Sequence, residues 1–325
     1  KKYGKQFQFL VTGSAFSAKD FPHSEENHVK LLVVDGKYFV VGGSGVHRNM
    51  NRESLPAGVK EKNKSLGSRG LEKTFRDTDV VGCGQVAKGL RGQFFNLYHK
   101  WAVRMGKTME ASEGRFFKLD DNKPFANCER FHEETSLHKG VPLKYVVGGP
   151  EHAERNPITR EYAELIRSAK SEVRLANLMF IPAPEIISAL QFLRKKPGVK
   201  VKGYFCGRGK GCKFVTLPLT ATAHQHYGLV DSVYEYTKAR QLLHKKVATF
   251  DTDTAVVGTY NLSKKSDLHD EELVLVMKSE GVVEEIKRAL DQDAANSRKI
   301  ADARRYRRTP SPLGKLACNI YAGMI

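Results

Sequence analysis

Two stretches of the chain, more than two hundred residues apart, show the same order of apolar and polar positions. Residues 28–43 read HVKLLVVDGKYFVVGG and residues 244–259 read HKKVATFDTDTAVVGT. In each, two runs rich in β-branched and aromatic residues flank a short polar turn sequence, which is the signal of a hairpin. Both stretches are therefore predicted to form strand, turn, strand. The near-continuous apolar run LLVV further predicts strands covered on both faces.

From residue 143 onward, apolar runs alternate with segments of helical periodicity. The predicted order is strand LKYVVGG, helix TREYAELIRSAK, strand EVRLANLMF, helix PEIISALQFLRKK, strand VKVKGYFCG, then strand ELVLVM and helix VVEEIKRALDQDA. Strands that alternate with helices indicate a mainly parallel sheet with helices on its faces. The sequence thus predicts an α/β fold.

The first hundred residues carry fewer elements. DVVGCG, at 79–84, is predicted as a strand, and residues 85–105 as a helix with an aromatic face. That face consists of Phe94, Phe95, Tyr98 and Trp101. A polar, basic stretch at 51–73 is predicted as an exposed loop that contacts an anionic surface. The predicted organisation is a first lobe (1–105), a linker (106–142), a second lobe (143–295) and a basic, then apolar, tail (296–325).

Composition restricts the class of partner. The chain has 325 residues and a formal net charge of +18, which favours polyanions such as nucleic acid or an anionic lipid surface. Its five cysteines are odd in number and widely spaced, so a reducing compartment is expected rather than a disulfide framework. No apolar run approaches the roughly 18 residues of a membrane span. We therefore expect a cytoplasmic or peripheral membrane location, with secretion left open.

The repeated spacing carries the chemistry. Side chains alternate along a strand, so His28 and Lys30 project from one side, as do His244 and Lys246. Histidine exchanges protons near neutral pH and can act as a nucleophile, while lysine supplies a positive charge for anionic oxygens. Two copies brought together would form a site with two histidines and two lysines. Such a site suits a phosphodiester.

These residues resemble the signature of the phospholipase D superfamily, H-x-K-x4-D-x6-G-S/G-x-N. Besides the histidines and lysines, the matching positions are Asp35, Gly42 and Gly43 in the first copy and Asp251, Gly258, Thr259 and Asn261 in the second. In that family an acidic residue on a later strand contacts the active-site histidines. Glu272 occupies this place in the second half, and Asp79 in FRDTDVVGCG is our prediction for the first. The pattern is closest to bacterial two-motif phospholipases and cardiolipin synthases.

The resemblance implies two α/β lobes, each a mixed sheet flanked by helices, related by pseudo-twofold symmetry. It also implies displacement at phosphorus without a metal or other cofactor, through a phosphohistidine. We assign the nucleophile to His28 and the acid/base to His244, with the reverse order as the alternative. Lys30, Lys246 and Asn261 would hold phosphoryl oxygens. The remaining roles are orientation of the imidazoles by Asp79 and Glu272, and fixing of the hairpin turns by Asp35 and Asp251.

Two departures from the family pattern stand out. Gly45 lies where the family often has Asn, so one phosphate donor is missing from the first motif. Only 27 residues precede His28, whereas family members place a strand, helix and strand before the motif. Two bare strands could not bury their faces alone. We therefore expect the first lobe to be short at its N-terminus and to be completed by further polypeptide, such as an N-terminal fragment of the same protein.

Other motifs are weaker. Cys128 with His132, or Cys206 with Cys212, could suggest a metal, but neither spacing matches a standard site, and we predict none. The glycines of CGRGKG lack the strand-to-helix context of a phosphate-binding loop. That segment is predicted to be a basic surface turn.

Three functions remain open at this stage. The first is a phosphodiesterase or phosphatidyltransferase acting on phospholipid at an anionic membrane surface. The second is a nuclease, which the charge of +18 would suit, although nucleases of this superfamily usually carry one motif per chain. The third is a catalytically decayed member that binds membranes. The sequence leaves open the lipid headgroup and whether water or an alcohol is the acceptor.

Overall fold

The computed structural model describes residues 26–45, 74–104, 138–207, 223–238 and 241–305. Its strands are β1 (Glu26–Asn27), β2 (Leu31–Val34), β3 (Tyr38–Gly42), β4 (Thr74–Arg76), β5 (Asp79–Cys83), β6 (Leu143–Gly148), β7 (Glu172–Asn177), β8 (Lys200–Cys206), β9 (Ser232–Tyr236), β10 (Gln241–Leu243), β11 (Lys246–Phe250), β12 (Thr254–Gly258), β13 (Asp270–Lys278) and β14 (Ser297–Ile300). Its helices include α1 (Val86–Arg104), α2 (Pro157–Ser168), α3 (Pro184–Leu193), α4 (Lys264–Leu268) and α5 (Glu280–Ala295).

The second lobe, residues 138–305, is built on one large mixed sheet. Its strand order is β1-β13-β12-β11-β7-β8-β9-β14, and β6 also pairs with β13. β8 is parallel to both β7 and β9, whereas β11 is antiparallel to β7 and β12. α2 and α3 pack over one apolar face of the sheet and α5 over the other. The α/β class with mixed sheets flanked by helices is confirmed.

Local sequence explains how the elements around the second motif begin and turn. Asn156 caps α2, because its side-chain oxygen accepts hydrogen bonds from the backbone N–H groups of Ile158 and Thr159. β11 and β12 are buried at every position, as expected for central strands covered on both faces. Asp251 begins the turn between them with a φ of 53°. Such a backbone suits aspartate better than a bulky or β-branched residue.

The first lobe, residues 26–104, contains a three-stranded antiparallel sheet in the order β2-β3-β5. Asp35 and Gly36 turn the hairpin with positive φ values of 53° and 62°, as the DG sequence predicts. One face of this sheet is covered by α1 and by the second lobe. Their common core contains Phe39, Val41, Ala87, Leu90, Leu273 and Leu275. The two lobes therefore share a hydrophobic core, while a twofold axis relating them stays a prediction.

Two sequence predictions need correction. β2 is not covered on both faces within the described residues, since Leu32 is 56% exposed and Val34 44%. The second lobe does not end at residue 295, because β14 pairs with β9 and Ala303 is buried in the core. The aromatic face predicted for α1 is divided between core and surface, because Trp101 is buried whereas Phe94 is exposed. In each case the tertiary neighbours, rather than local periodicity, decide burial.

Several predictions lie outside the described residues. These are the basic loop at 51–73, most of the linker at 106–142, Cys128 and His132, Cys212 with most of the CGRGKG turn, and the tail from 306. Within the part of the chain that is described, no helix is both long and apolar enough to cross a membrane.

Candidate active site

The first half-site is built where the chain passes from β1 into β2. β1 runs parallel to the start of β13, and the backbone N–H of His28 donates to the carbonyl oxygen of Glu271 at 3.1 Å. The imidazole Nδ1 of His28 lies 2.9 and 3.1 Å from the two carboxylate oxygens of Glu272. Lys30 Nζ donates to the carbonyl oxygen of His28 at 2.7 Å. The first motif is therefore oriented by a carboxylate of the second lobe.

The second half-site repeats this arrangement with the lobes exchanged. β10 runs parallel to β4, and the backbone N–H of His244 donates to the carbonyl oxygen of Arg76 at 2.9 Å. His244 Nδ1 lies 2.6 Å from a carboxylate oxygen of Asp77. Lys246 Nζ donates to the carbonyl oxygen of His244 at 2.7 Å and lies 3.0 Å from its Nε2. Each motif histidine is thus paired with a carboxylate from the opposite lobe.

The assignment of Asp79 as the counterpart of Glu272 is wrong, because Asp77 contacts His244. Asp79 Oδ1 instead accepts a hydrogen bond from the backbone of Ser44 at 3.0 Å. Strand register explains the difference. Gly42 is opposite Asp79, as Gly258 is opposite Val274, so the residue equivalent to Glu272 lies two positions before Asp79. That residue is Asp77.

The motif glycines allow neighbouring strands to approach closely. A Cβ atom at Gly42 would come within 2.5 Å of the Asp79 Cα, and one at Gly258 within 2.6 Å of the Val274 Cα. Gly43 has a different reason, since a side chain there would overlap the Asp77 carboxylate. The equivalent position in the second lobe is Thr259. The shorter aspartate and the longer glutamate therefore need different residues at this position.

Glu272 is fully buried and held by the second lobe itself. The hydroxyls of Thr259 and Ser266 each donate a hydrogen bond to one of its carboxylate oxygens. Sequence reasoning missed Ser266, which lies on α4 after the motif. The backbone N–H of Asn261 donates to the same Ser266 hydroxyl at 3.2 Å. Within the described residues the side-chain oxygen of Asn261 is buried and has no hydrogen-bond partner.

Burial sets the charge of the second half-site. Burial, and then the charge of Lys246, lowers the pKa of His244 to about 4, against the opposing effect of Asp77. Burial also lowers the pKa of Lys246 to about 7, although Asp77 raises it, and Lys30 lowers it further. The charge of His28 also acts on His244. The two half-sites therefore belong to one electrostatic site, in which His244 is neutral at pH 7 before an anion binds.

A possible cation position overlaps the first half-site. Donor atoms of His28, Asp270 and Glu272 lie within 4.8 Å of one another. However, both oxygens of Glu272 already accept hydrogen bonds, and Lys265 Nζ lies 3.4 Å from Asp270. Protein groups therefore account for this geometry. Action without a metal stays a prediction.

The two turn aspartates differ in their contacts. Asp251 accepts hydrogen bonds from the backbone N–H groups of Lys170, Ser171 and Glu172, and from the Ser171 hydroxyl. This anchors the start of β7 to the hairpin, in agreement with a structural role for Asp251. The pKa of its carboxyl is lowered by these hydrogen bonds, against the raising effect of burial, which is the larger single influence. Asp35 occupies the corresponding turn and is exposed.

Comparison with known proteins shows sequence similarity over most of the chain. Residues 162–294 match the family described as cardiolipin synthase, phospholipase D-like domain. Cardiolipin synthase A of Pseudomonas aeruginosa is 26% identical over 295 residues, which cover 90% of this chain and 51% of that protein. Cardiolipin synthase 2 of Bacillus cereus is 28% identical over 244 residues, covering 74% and 39%. The chain thus spans about half the length, or less, of these curated relatives.

A solved structure shares the fold over most of the chain. The phosphatidylserine synthase of Haemophilus influenzae superposes with a TM-score of 0.60 and 12% identity, covering 92% of this chain and 71% of that one. The described residues combine this fold with two half-sites, each of which contains a histidine, a lysine and a carboxylate. The chain is therefore similar to phospholipase D-like proteins in the sequence of residues 162–294, and it shares its fold with this phosphatidylserine synthase.

Proposed function

We propose that this protein transfers or hydrolyses the phosphatidyl group of a phospholipid through a phosphohistidine, without a metal. The observation that carries the proposal is the reciprocal pairing of each motif histidine with a carboxylate of the other lobe. A carboxylate at Nδ1 leaves Nε2 to face the substrate and stabilises the positively charged ring. The relatives named cardiolipin synthase and phosphatidylserine synthase support a phospholipid substrate.

The mechanism would use one histidine from each lobe. His28, whose side chain is 21% exposed against 12% for His244, attacks phosphorus through Nε2 and breaks the bond to the leaving alcohol. His244 donates a proton to that alcohol and then takes one from the acceptor hydroxyl, whose oxygen attacks phosphorus and releases His28. Since His244 is neutral in the free site, its protonation would accompany binding of the anionic substrate.

Three further side chains would hold the phosphoryl oxygens. Lys246 is fully buried beside His244, and Lys30 is its counterpart in the first half-site. The Asn261 amide supplies a hydrogen-bonding group without a positive charge. The net charge of +18 would hold the protein at an anionic membrane surface, where the substrate lies. This supports peripheral membrane association.

A substrate panel tests the proposal. Purified protein in EDTA is offered vesicles of phosphatidylglycerol, phosphatidylcholine or cardiolipin, and separately single-stranded DNA. We expect phosphatidate or phosphatidyl-transfer products from at least one lipid, and a phosphorylated protein that is stable to alkali but labile to acid. Nucleotide release without lipid products would identify a nuclease, a function that the positive charge also suits. Vesicle binding without turnover of any substrate would identify a decayed, membrane-binding member.

A further inference from the structure

The backbone contacts of the two motif histidines depend on residues that precede the carboxylates. His28 donates to the carbonyl oxygen of Glu271, and His244 donates to that of Arg76. Glu271 immediately precedes Glu272, and Arg76 immediately precedes Asp77. Each histidine is therefore held twice by the opposite lobe, through a backbone carbonyl and through the adjacent carboxylate. Whatever fixes Glu271 and Arg76 also fixes the histidines.

Glu271 is fixed by an ion pair to the first lobe. Its carboxylate is 1% exposed and pairs with Lys100 on α1. Lys100 also pairs with Glu151, which lies in the short turn after β6. Although burial lowers it, the two carboxylates keep the pKa of Lys100 above its ordinary value. One charged lysine of the first lobe thus holds two carboxylates of the second.

Arg76 is also fixed by an ion pair between the lobes, but here the residue that precedes the carboxylate is the cation. Its guanidinium pairs with Asp293, near the end of α5 in the second lobe, and Asp293 is 1% exposed. Lys245 Nζ also lies 2.7 Å from Asp293. Lys245 directly follows His244 in the sequence. Asp293 therefore pairs with a residue on each side of the hydrogen bond between the His244 N–H and the Arg76 carbonyl oxygen. Here one buried carboxylate holds two cations.

The two arrangements are therefore reciprocal. In one, the long helix of the first lobe supplies the cation; in the other, the long helix of the second lobe supplies the anion. We propose that Lys100 with Glu271, and Asp293 with Arg76, are cross-lobe positioning pairs, each of which fixes one motif histidine through its backbone. The pairs act locally: the first governs His28 and the second governs His244. The positioning of the histidines by these pairs does not depend on the proposed function. Only the expected effect of the pairs on turnover rests on that function.

Amide hydrogen exchange of the two histidines tests the placement directly. The protein is labelled with ¹⁵N-histidine, and the signals are assigned by comparison with His28→Gln and His244→Gln. We expect Lys100→Met to accelerate exchange of the His28 amide at least about 10-fold while leaving His244 within about 3-fold, because only the first backbone contact loosens. Asp293→Asn should give the opposite pattern, with Arg76→Gln as a second variant of that pair.

A matched control uses a lysine whose ion pair does not join the lobes. Lys144 pairs with Glu161 at 2.7 Å, both within the second lobe. Lys144→Met should change neither amide, and Lys100→Arg should restore the exchange rate of His28. With a substrate that the protein turns over, Lys100→Met should lower kcat about 10-fold and leave KM within about 2-fold of the value for the unmodified protein.

Two results would overturn the proposal. Acceleration of both amides by each variant would show only general stabilisation by the ion pairs. Unchanged exchange in all variants would show that the ion pairs do not position the histidines. If the amides respond as expected but no substrate is turned over, the positioning stands and the proposed function fails.

Discussion

The two lobes contain the same motif but differ in how completely they surround it. In the second lobe the motif hairpin is central, flanked by β7 on one side and β13 on the other. In the first lobe the described hairpin has a neighbour, β5, on one side only, and Leu32 and Val34 are exposed. Nevertheless, the half-sites share three contacts: a carboxylate at the histidine Nδ1, a backbone hydrogen bond from the histidine to the other lobe, and a lysine that donates to the histidine carbonyl oxygen. The comparison teaches that the site depends on contacts between the lobes more than on the completeness of either sheet.

The largest expected effect concerns the histidines themselves. Each lobe supplies one of the two histidines that the mechanism needs. His28→Ala and His244→Ala should therefore each lower kcat/KM about 1,000-fold or more, although the sheets of the two lobes differ in completeness. Steady-state turnover of a responsive lipid, with circular dichroism as a check of folding, measures this. Full turnover by His244→Ala in EDTA would contradict the two-histidine mechanism.

The carboxylates should follow with a smaller effect. Asp77→Asn and Glu272→Gln remove the negative charge beside one histidine each, so we expect kcat to fall about 100-fold in both. Asp79→Asn is the matched control, since the Asp79 carboxylate accepts a hydrogen bond from the Ser44 backbone and its charge is a minor influence on the pKa of Lys246. Its kcat should stay within about 3-fold. Equal losses in Asp77→Asn and Asp79→Asn would remove the distinction between them.

This correction shows what the sequence could and could not predict. Spacing alone placed His28, Lys30, His244 and Lys246, because the motif lies within one hairpin and strand alternation fixes its directions. Asp77 was missed because the acidic partner acts across the lobes after a long basic insertion, where counting residues gives no register. Local patterns also contained no information on Lys100 or Asp293, because Lys100 pairs with Glu271, and Asp293 with Arg76, across the two lobes.

The pH dependence should separate the half-sites. Lys246 has a pKa of about 7, so it is charged below pH 7 and loses its charge as the pH rises through this value. An anionic substrate needs the charged form, and we therefore expect kcat/KM to fall above about pH 7. Asp77 raises this pKa, so Asp77→Asn should move the fall to lower pH. A fall that does not move in this variant would assign the limb to another group.

The turn aspartates sharpen the comparison at the level of stability. Asp35 and Asp251 share a φ of 53°, so replacement by Ala costs both about 1 kcal/mol of backbone strain. Only Asp251 also accepts the hydrogen bonds that anchor β7. Asp251→Ala should therefore lower the free energy of unfolding by about 2 kcal/mol more than Asp35→Ala. Urea denaturation measures both, and equal costs would show that the Asp251 anchor contributes nothing.

The smallest expected effect is the change in the free energy of unfolding caused by Val34→Lys. This substitution tests whether the first lobe is completed by other polypeptide. By motif spacing Val34 corresponds to Phe250, which is 3% exposed in the second lobe because neighbouring strands and helices cover it. We propose that further polypeptide, such as an N-terminal fragment of the same protein, pairs with the free edge of β2 as β7 pairs with β11, and covers the exposed face of β2. In the 325-residue chain, Val34→Lys should then cost less than about 0.5 kcal/mol. Phe250→Lys should cost more than about 4 kcal/mol, since it buries an unpaired charge.

The decisive measurement repeats Val34→Lys in a longer form of the protein, or in the presence of the added fragment. If a strand pairs with β2 and an element covers its exposed face, the substitution should become costly there, by about 2 kcal/mol or more, because Val34 is then buried. Amide exchange in β2 should slow at the same time, since its outer edge gains hydrogen bonds. An equally small cost in both forms, with unchanged exchange, would mean that the hairpin carrying His28 works with an open edge.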